Sequence, residues 1–194
     1  MTQERCSDIL EQKLFIKELE KGYDEYVDIF YIAIYTGMRI GEILALSPKD
    51  IDLDNNIIHI NKTLTKDSND KVIIGTTTKT YSGTRDIPIT ELIKSICLKS
   101  SDCQNETFFS YNNKIILPCT INAHFKRICK NANIRVINTK KKKNKNGEKE
   151  VNLKSSNVNT HMLRHTYATR CIESEMSAVV LSKLLGHKDI ETHY

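Results

Sequence analysis

Apolar side chains recur at helical spacing through residues 7–46, with Tyr26, Ile29, Phe30, Ala33 and Ile34 on one stripe, and the pattern breaks at Gly37, a residue type that readily ends helices. The segment predicts helices. Turn formers follow at Ser47-Pro48-Lys49-Asp50 and at 52–56, and the β-branched run Ile57-Ile58-His59-Ile60 predicts a first strand. Residues 71–78 and 85–89 predict two more, joined through 79–84, where Ser82-Gly83 suits a hairpin loop. Helical periodicity returns at 91–98, 120–131, 161–174 and 178–185, with Thr160 as the expected N-cap of the third. The expected fold is α+β and mainly α-helical, with a small three-stranded antiparallel sheet.

Residues 139–150 break both periods. Lys140, Lys141, Lys142, Lys143, Lys145 and Lys149 stand among Asn and Gly, too charged to pack, so a mobile basic loop is expected. It is either a solvated excursion or a contact to a DNA backbone that salt would weaken, with Lys140 to Lys143 as the candidate contacts.

Composition narrows the picture modestly. A chain of 194 residues suits one domain with a substantial core, so residues 1–194 are expected to form a single domain. No apolar run approaches the roughly 20 residues of a membrane helix. The polar, mixed-charge start lacks the apolar core of a signal peptide, and a cytoplasmic location is expected. Cysteines at 6, 97, 103, 119, 129 and 171 show no Cys-x-x-Cys spacing and are expected to be reduced and mostly buried. The excess of 29 Lys plus Arg over 24 Asp plus Glu favours nucleic acid over acidic metabolites only weakly.

Four short blocks carry chemistry. In Thr36-Gly37-Met38-Arg39-Ile40-Gly41-Glu42, an arginine opens a helix, where partial positive charge already accumulates; it needs a bound anion or a carboxylate, and Glu42 lies one turn on. In Thr78-Lys79-Thr80-Tyr81-Ser82-Gly83-Thr84-Arg85-Asp86-Ile87-Pro88, Lys79 sits at a hairpin tip. It is either plain surface or a general acid able to reach a cleft. In His161-Met162-Leu163-Arg164-His165-Thr166-Tyr167, His161 and Arg164 share a helical face. His161 and His165 are also spaced like zinc ligands, but Met162 stands where a zinc-protease glutamate would be and no third ligand is evident, so no metal is expected. His165 and Tyr167 read as packing residues. In Leu184-Leu185-Gly186-His187, a histidine follows a helix end, where an imidazolium is stabilised as a cap or as a donor to a phosphate.

Taken in order, the Thr-Gly-x-Arg-x-x-Glu block, the lysine before Arg-x-Ile-Pro, His-x-Leu-Arg-His-Thr and Leu-Gly-His resemble the catalytic domain of the tyrosine recombinases, the phage and transposon integrase family, from about residue 7 to residue 192. The resemblance implies that fold, double-stranded DNA as partner, and strand cleavage and rejoining through a 3′-phosphotyrosyl intermediate with neither ATP nor metal. It also implies that Arg39, Arg164, His161 and His187 surround the scissile phosphate, that Lys79 protonates the leaving 5′ oxygen, and that His161 is the base for the tyrosine. From spacing, Glu42 orients Arg39. A DNA-binding module that has lost its nucleophile and a type IB topoisomerase share these residues and stay open as alternatives.

The chain departs from the family pattern at both ends. Tyr194 follows His187 by seven residues, where nine or ten are usual, so the nucleophile is either Tyr194 or a residue beyond it. Few residues precede the first expected helix, so the family's N-terminal DNA-clamping domain is expected to be absent. Family members act as tetramers on DNA; this chain alone is expected to be monomeric, with weak DNA affinity.

Overall fold

The computed structural model describes residues 8–76, 84–100, 107–111, 114–134, 137–143, 149–155 and 159–186. Helices α1 (Ile9–Leu19), α2 (Val27–Thr36) and α3 (Ile40–Ala45) occupy the first quarter, and α4 (Glu91–Ser100), α5 (Pro118–Asn131), α6 (His161–Glu173) and α7 (Ala178–Leu185) follow. Helix α1 opens on a capping box in which Asp8 accepts from the Glu11 N–H at 2.7 Å and Glu11 accepts from the Asp8 N–H at 3.3 Å. Helix α2 is apolar on nearly every side and lies at the centre, packed against α3, α4 and α6. Phe30 of α2, Phe15 of α1 and Phe125 of α5 pack together with ring centroids 5.3–6.1 Å apart.

The strands pair differently from the sequence expectation. Strands β1 (Ile51–Asp52), β2 (Ile57–Ile60) and β5 (Arg85–Pro88) form the three-stranded antiparallel sheet, with Ile58 opposite Ile87 and Ile60 opposite Arg85. Strand β4 (Val72–Thr76) does not join it. It pairs with β3 (Lys62–Lys66), a strand the sequence reading lacks, because a turn at 67–71 closes there first. The Asp67 carboxylate accepts from the Asn69 and Lys71 N–H groups, and Asp70 takes the left-handed conformation at φ +62°. Among the described residues β4 and β5 are not paired with each other, and the expected connection at 77–83 lies outside them. Strands β6 (Ser110–Tyr111) and β7 (Lys114–Ile115) form a short pair.

The stretch expected as a basic loop at 139–150 is instead largely strand. Strand β8 (Ile137–Lys143) pairs antiparallel with β9 (Lys149–Ser155), Lys140 opposite Asn152 and Lys142 opposite Glu150. Backbone pairing needs no apolar side chain, so a run of lysines does not exclude a strand. Cys97, Cys129 and Cys171 are buried and Cys119 is exposed. Burial pushes the Cys97 thiol to about 11 and the Cys129 thiol to about 12, so both stay protonated near neutrality.

One buried carboxylate ties the sheet to the helices. Glu42 of α3, 2% exposed, accepts from the Arg85 guanidinium at 3.0 and 2.8 Å, from the Arg39 N–H at 2.8 Å and from the Arg39 guanidinium at 3.0 Å. Arg85 also donates through Nε to the Leu184 carbonyl of α7 at 2.6 Å. Burial alone would raise the Glu42 carboxyl; the hydrogen bonds and charge of Arg85, with Arg39, outweigh it and hold it below its ordinary value.

Gly37 ends α2 in the left-handed region at φ +66°, and a Cβ there would overlap Tyr167 Cδ1 and lie 3.0 Å from Leu185 Cδ2. Gly37→Ala should cost at least about 1–3 kcal/mol, read as a lower urea midpoint at unchanged slope; an unchanged midpoint contradicts this packing. Glu42→Gln leaves the Arg85 charge buried without its carboxylate and should cost about 3–5 kcal/mol. Because the folded Glu42 pKa is depressed, its stabilisation is present above the unfolded carboxyl value near ~4.3 and is lost as pH falls through the folded value. The wild type should therefore lose stability through that acid window more steeply than Glu42→Gln. Equal acid slopes in the two proteins would refute it.

Candidate active site

The site forms where α2 gives way to α3 and the start of α6 packs against it. Gly37 turns the chain, and Arg39 follows in extended conformation as the N-cap of α3. Its side chain is 42% exposed but anchored at 3.0 Å to Glu42, so one edge is held while the rest stays accessible. This is the Arg39–Glu42 ion pair that the spacing allowed. The carboxylate also does more than expected, since Arg85 shares it.

Arg164, one turn into α6, is only 4% exposed. It donates to the Gly37 carbonyl at 2.8 Å and to the Leu185 carbonyl at the end of α7. Burial, helped by the neighbouring charges of Arg39 and Arg85 and opposed by Glu42, pushes its pKa down to about 9, so it remains a cation at neutral pH. Three guanidiniums thus crowd one carboxylate, an arrangement that an anion between Arg39 and Arg164 would relieve.

His161 opens α6 and is exposed. Its ring meets that of His165 edge-on, centroids 4.9 Å apart. Thr160 does not cap this helix with its own side chain, contrary to expectation. It is already helical, and the cap comes from Asn159, whose side-chain oxygen accepts the His161 N–H at 2.9 Å. The Thr160 N–H and hydroxyl donate instead to Asn122 Oδ1 of α5, at 2.9 and 3.0 Å.

These elements enclose a cleft of about 230 Å³ whose lining includes Arg39, His161 and Arg164 with Asn122, Asn159 and Thr160. Three of the six residues expected at a phosphate site, separated by up to 125 positions (164 − 39), meet there. Lys79, His187 and Tyr194 lie outside the described residues, as do the side chains of Lys140 to Lys143. Tyr167 packs with Ala168, Cys171, Leu181 and Leu185 and against Gly37, and burial raises its phenol, so it is a packing residue as expected. No group of three or more His, Cys, Asp or Glu among the described residues is placed to hold a metal. Among them, too, no helix is long and apolar enough to cross a membrane.

Sequence reasoning passed over Arg85, Asn122 and Asn159. Arg85 had a signal: it alternates with Ile87 and so falls on the buried side of β5. Asn122 had none, since it reaches Thr160 across 38 positions from another helix.

The phage integrase family model matches residues 11–193. The transposase of transposon Tn916 from Enterococcus faecalis is 26% identical over 184 residues, 93% of this chain and 44% of the transposase. The integrase of Staphylococcus phage L54a is 32% identical over 158 residues, 81% of this chain and 43% of the integrase. The chain therefore spans less than half the length of these two relatives. Among solved structures, the Tn1549 transposon integrase in complex with transposon right end DNA superposes with a TM-score of 0.75 at 22% identity, covering 98% of this chain and 60% of that one. XerA recombinase gives a TM-score of 0.65 at 22% identity, over 97% of this chain and 58% of that one. The fold is that of tyrosine recombinase catalytic domains. With the family match running from the first turn of α1 to the penultimate residue, this chain belongs to the phage integrase family.

Proposed function

We propose that the chain is a catalytic domain for site-specific DNA recombination, cutting and rejoining strands through a 3′-phosphotyrosyl intermediate. The observation that carries the reading is the meeting of Arg39, Arg164 and His161 around one cleft. Attack on a phosphodiester concentrates charge on the non-bridging oxygens, and two guanidiniums can hold these oxygens through paired hydrogen bonds. Lysine lacks that planar fork.

In the proposed reaction His161 takes the proton of the attacking tyrosine hydroxyl, with Tyr194 as the candidate nucleophile. The new Tyr–O–P bond forms as the bond to the 5′ oxygen breaks, and Lys79 gives that oxygen a proton. His187 donates to a non-bridging oxygen. Reversal by another 5′ hydroxyl reseals the strand, and since one phosphoester is exchanged for another, no external energy source or metal is required. Glu42 keeps Arg39 in place throughout.

Double-stranded DNA is the proposed partner, supported by the relatives solved on DNA, among them the Tn1549 integrase on circular intermediate DNA. Strand β8 carries Lys140 to Lys143 in succession, and we assign these to the DNA backbone. The active assembly is a tetramer on two DNA sites, with this chain alone monomeric.

The role of Lys79 is open to a direct test. Lys79→Ala should lower cleavage of ordinary duplex DNA by about 10²–10⁴-fold. A substrate with sulfur in place of the bridging 5′ oxygen should restore the rate, because a thiolate leaves without a proton. Failure of the sulfur substrate to restore cleavage would remove Lys79 from the acid role.

A further inference from the structure

We propose that Asn122 is a further phosphate-binding residue of this cleft, its amide oxygen fixing the start of α6 and its NH₂ group donating to a non-bridging oxygen of the bound phosphodiester. The inference rests on the phosphodiester reading of the cleft. It assigns a ligand role to a helix, α5, that contributes none of the residues the motifs point to.

A carboxamide can be placed either way round, but Asn122 faces the Thr160 backbone N–H at 2.9 Å, and a backbone N–H only donates. The atom there must be the oxygen, and the Thr160 hydroxyl at 3.0 Å then donates to the same atom. The NH₂ group is left at the other end. It donates to no described residue, although Asn122 lines the cleft shared by Arg39, His161 and Arg164.

The start of α6 adds a second reason. Helix N-termini ordinarily offer bare N–H groups to an anion, but here they are taken. The Thr160 N–H goes to Asn122, the His161 N–H to Asn159, and the Met162 and Leu163 N–H groups to the carbonyls of Asn159 and Thr160. A ligand cannot use these donors directly. It can use the Asn122 NH₂, which is polarised further because the oxygen of the same amide accepts two hydrogen bonds. The guanidiniums supply charge, and the amide supplies a neutral donor fixed in direction.

Asn122→Asp separates the two roles. The carboxylate keeps an oxygen for Thr160 beside a helix N-terminus, which favours negative charge, so the melting temperature should hold or rise. The NH₂ donor is replaced by an anion facing the ligand. With the full chain and inorganic phosphate as probe, nitrogen-15 NMR should show the Asn122 side-chain NH₂ signals and the His161 signals moving together on titration. Asn122→Asp should weaken phosphate binding by about 10–100-fold, and Arg39→Ala should weaken it too. Phosphate-dependent shifts at His161, lost in Arg39→Ala, with the Asn122 NH₂ unmoved and Asn122→Asp binding as tightly as wild type, would overturn this inference and leave the phosphate cleft standing. No shift at His161 or Asn122 up to the solubility limit of phosphate would overturn the cleft reading and this inference with it.

Discussion

The Glu42 carboxylate is the point on which the rest of the arrangement turns. Buried to 2% exposure, it accepts from the backbone and guanidinium of Arg39 on its own helix and from Arg85 on the sheet. Arg85 in turn reaches the last turn of α7. One acid therefore sets where α3 begins, where β5 lies against it and, through Arg85, how the last turn of α7 is held. A lone carboxylate could not stay ionised at that depth, and two lone guanidiniums could not sit so close. Each is tolerable only because the others are present.

The same economy explains why Arg164 can be nearly buried and still line the cleft. Its hydrogen bonds to the Gly37 and Leu185 carbonyls hold its plane between the α2–α3 turn and the end of α7. Gly37 makes that possible, because its left-handed turn exposes a carbonyl and leaves room for Tyr167. Positive charge remains in excess over Glu42 in this corner, and the cleft opens beside it. Two guanidiniums beside one cleft suit an anion whose oxygens can accept paired hydrogen bonds, as the proposed phosphodiester would.

Much of this was legible in the sequence, for physical reasons that differ by residue. Gly37 and Gly186 announced their helix ends because both take the left-handed conformation. Arg39 and Glu42 were readable as a pair because one helical turn separates them. The β3–β4 hairpin was not, since its turn depends on the Asp67 side chain and on a positive φ at Asp70 rather than on a Gly or Pro signal. The β8–β9 pair was hidden by its lysines, which say nothing about backbone pairing. The Asn122 contact to Thr160 joins two helices through one amide, and no local pattern encodes such a meeting. Helical periodicity also placed the cap of α6 one residue late, at Thr160 rather than Asn159.

The proposed chemistry is covalent: the cleft cuts a phosphodiester and does not merely hold one. A denaturing gel tests it most directly, mixing the chain and its Arg39→Ala variant with a duplex DNA pool carrying 5′-bridging sulfur, which traps the cut strand on the protein. The wild type should give a protein–DNA adduct, linked through a tyrosine, that is lost or strongly reduced in Arg39→Ala. No adduct from the wild type, or one undiminished in the variant, would contradict it.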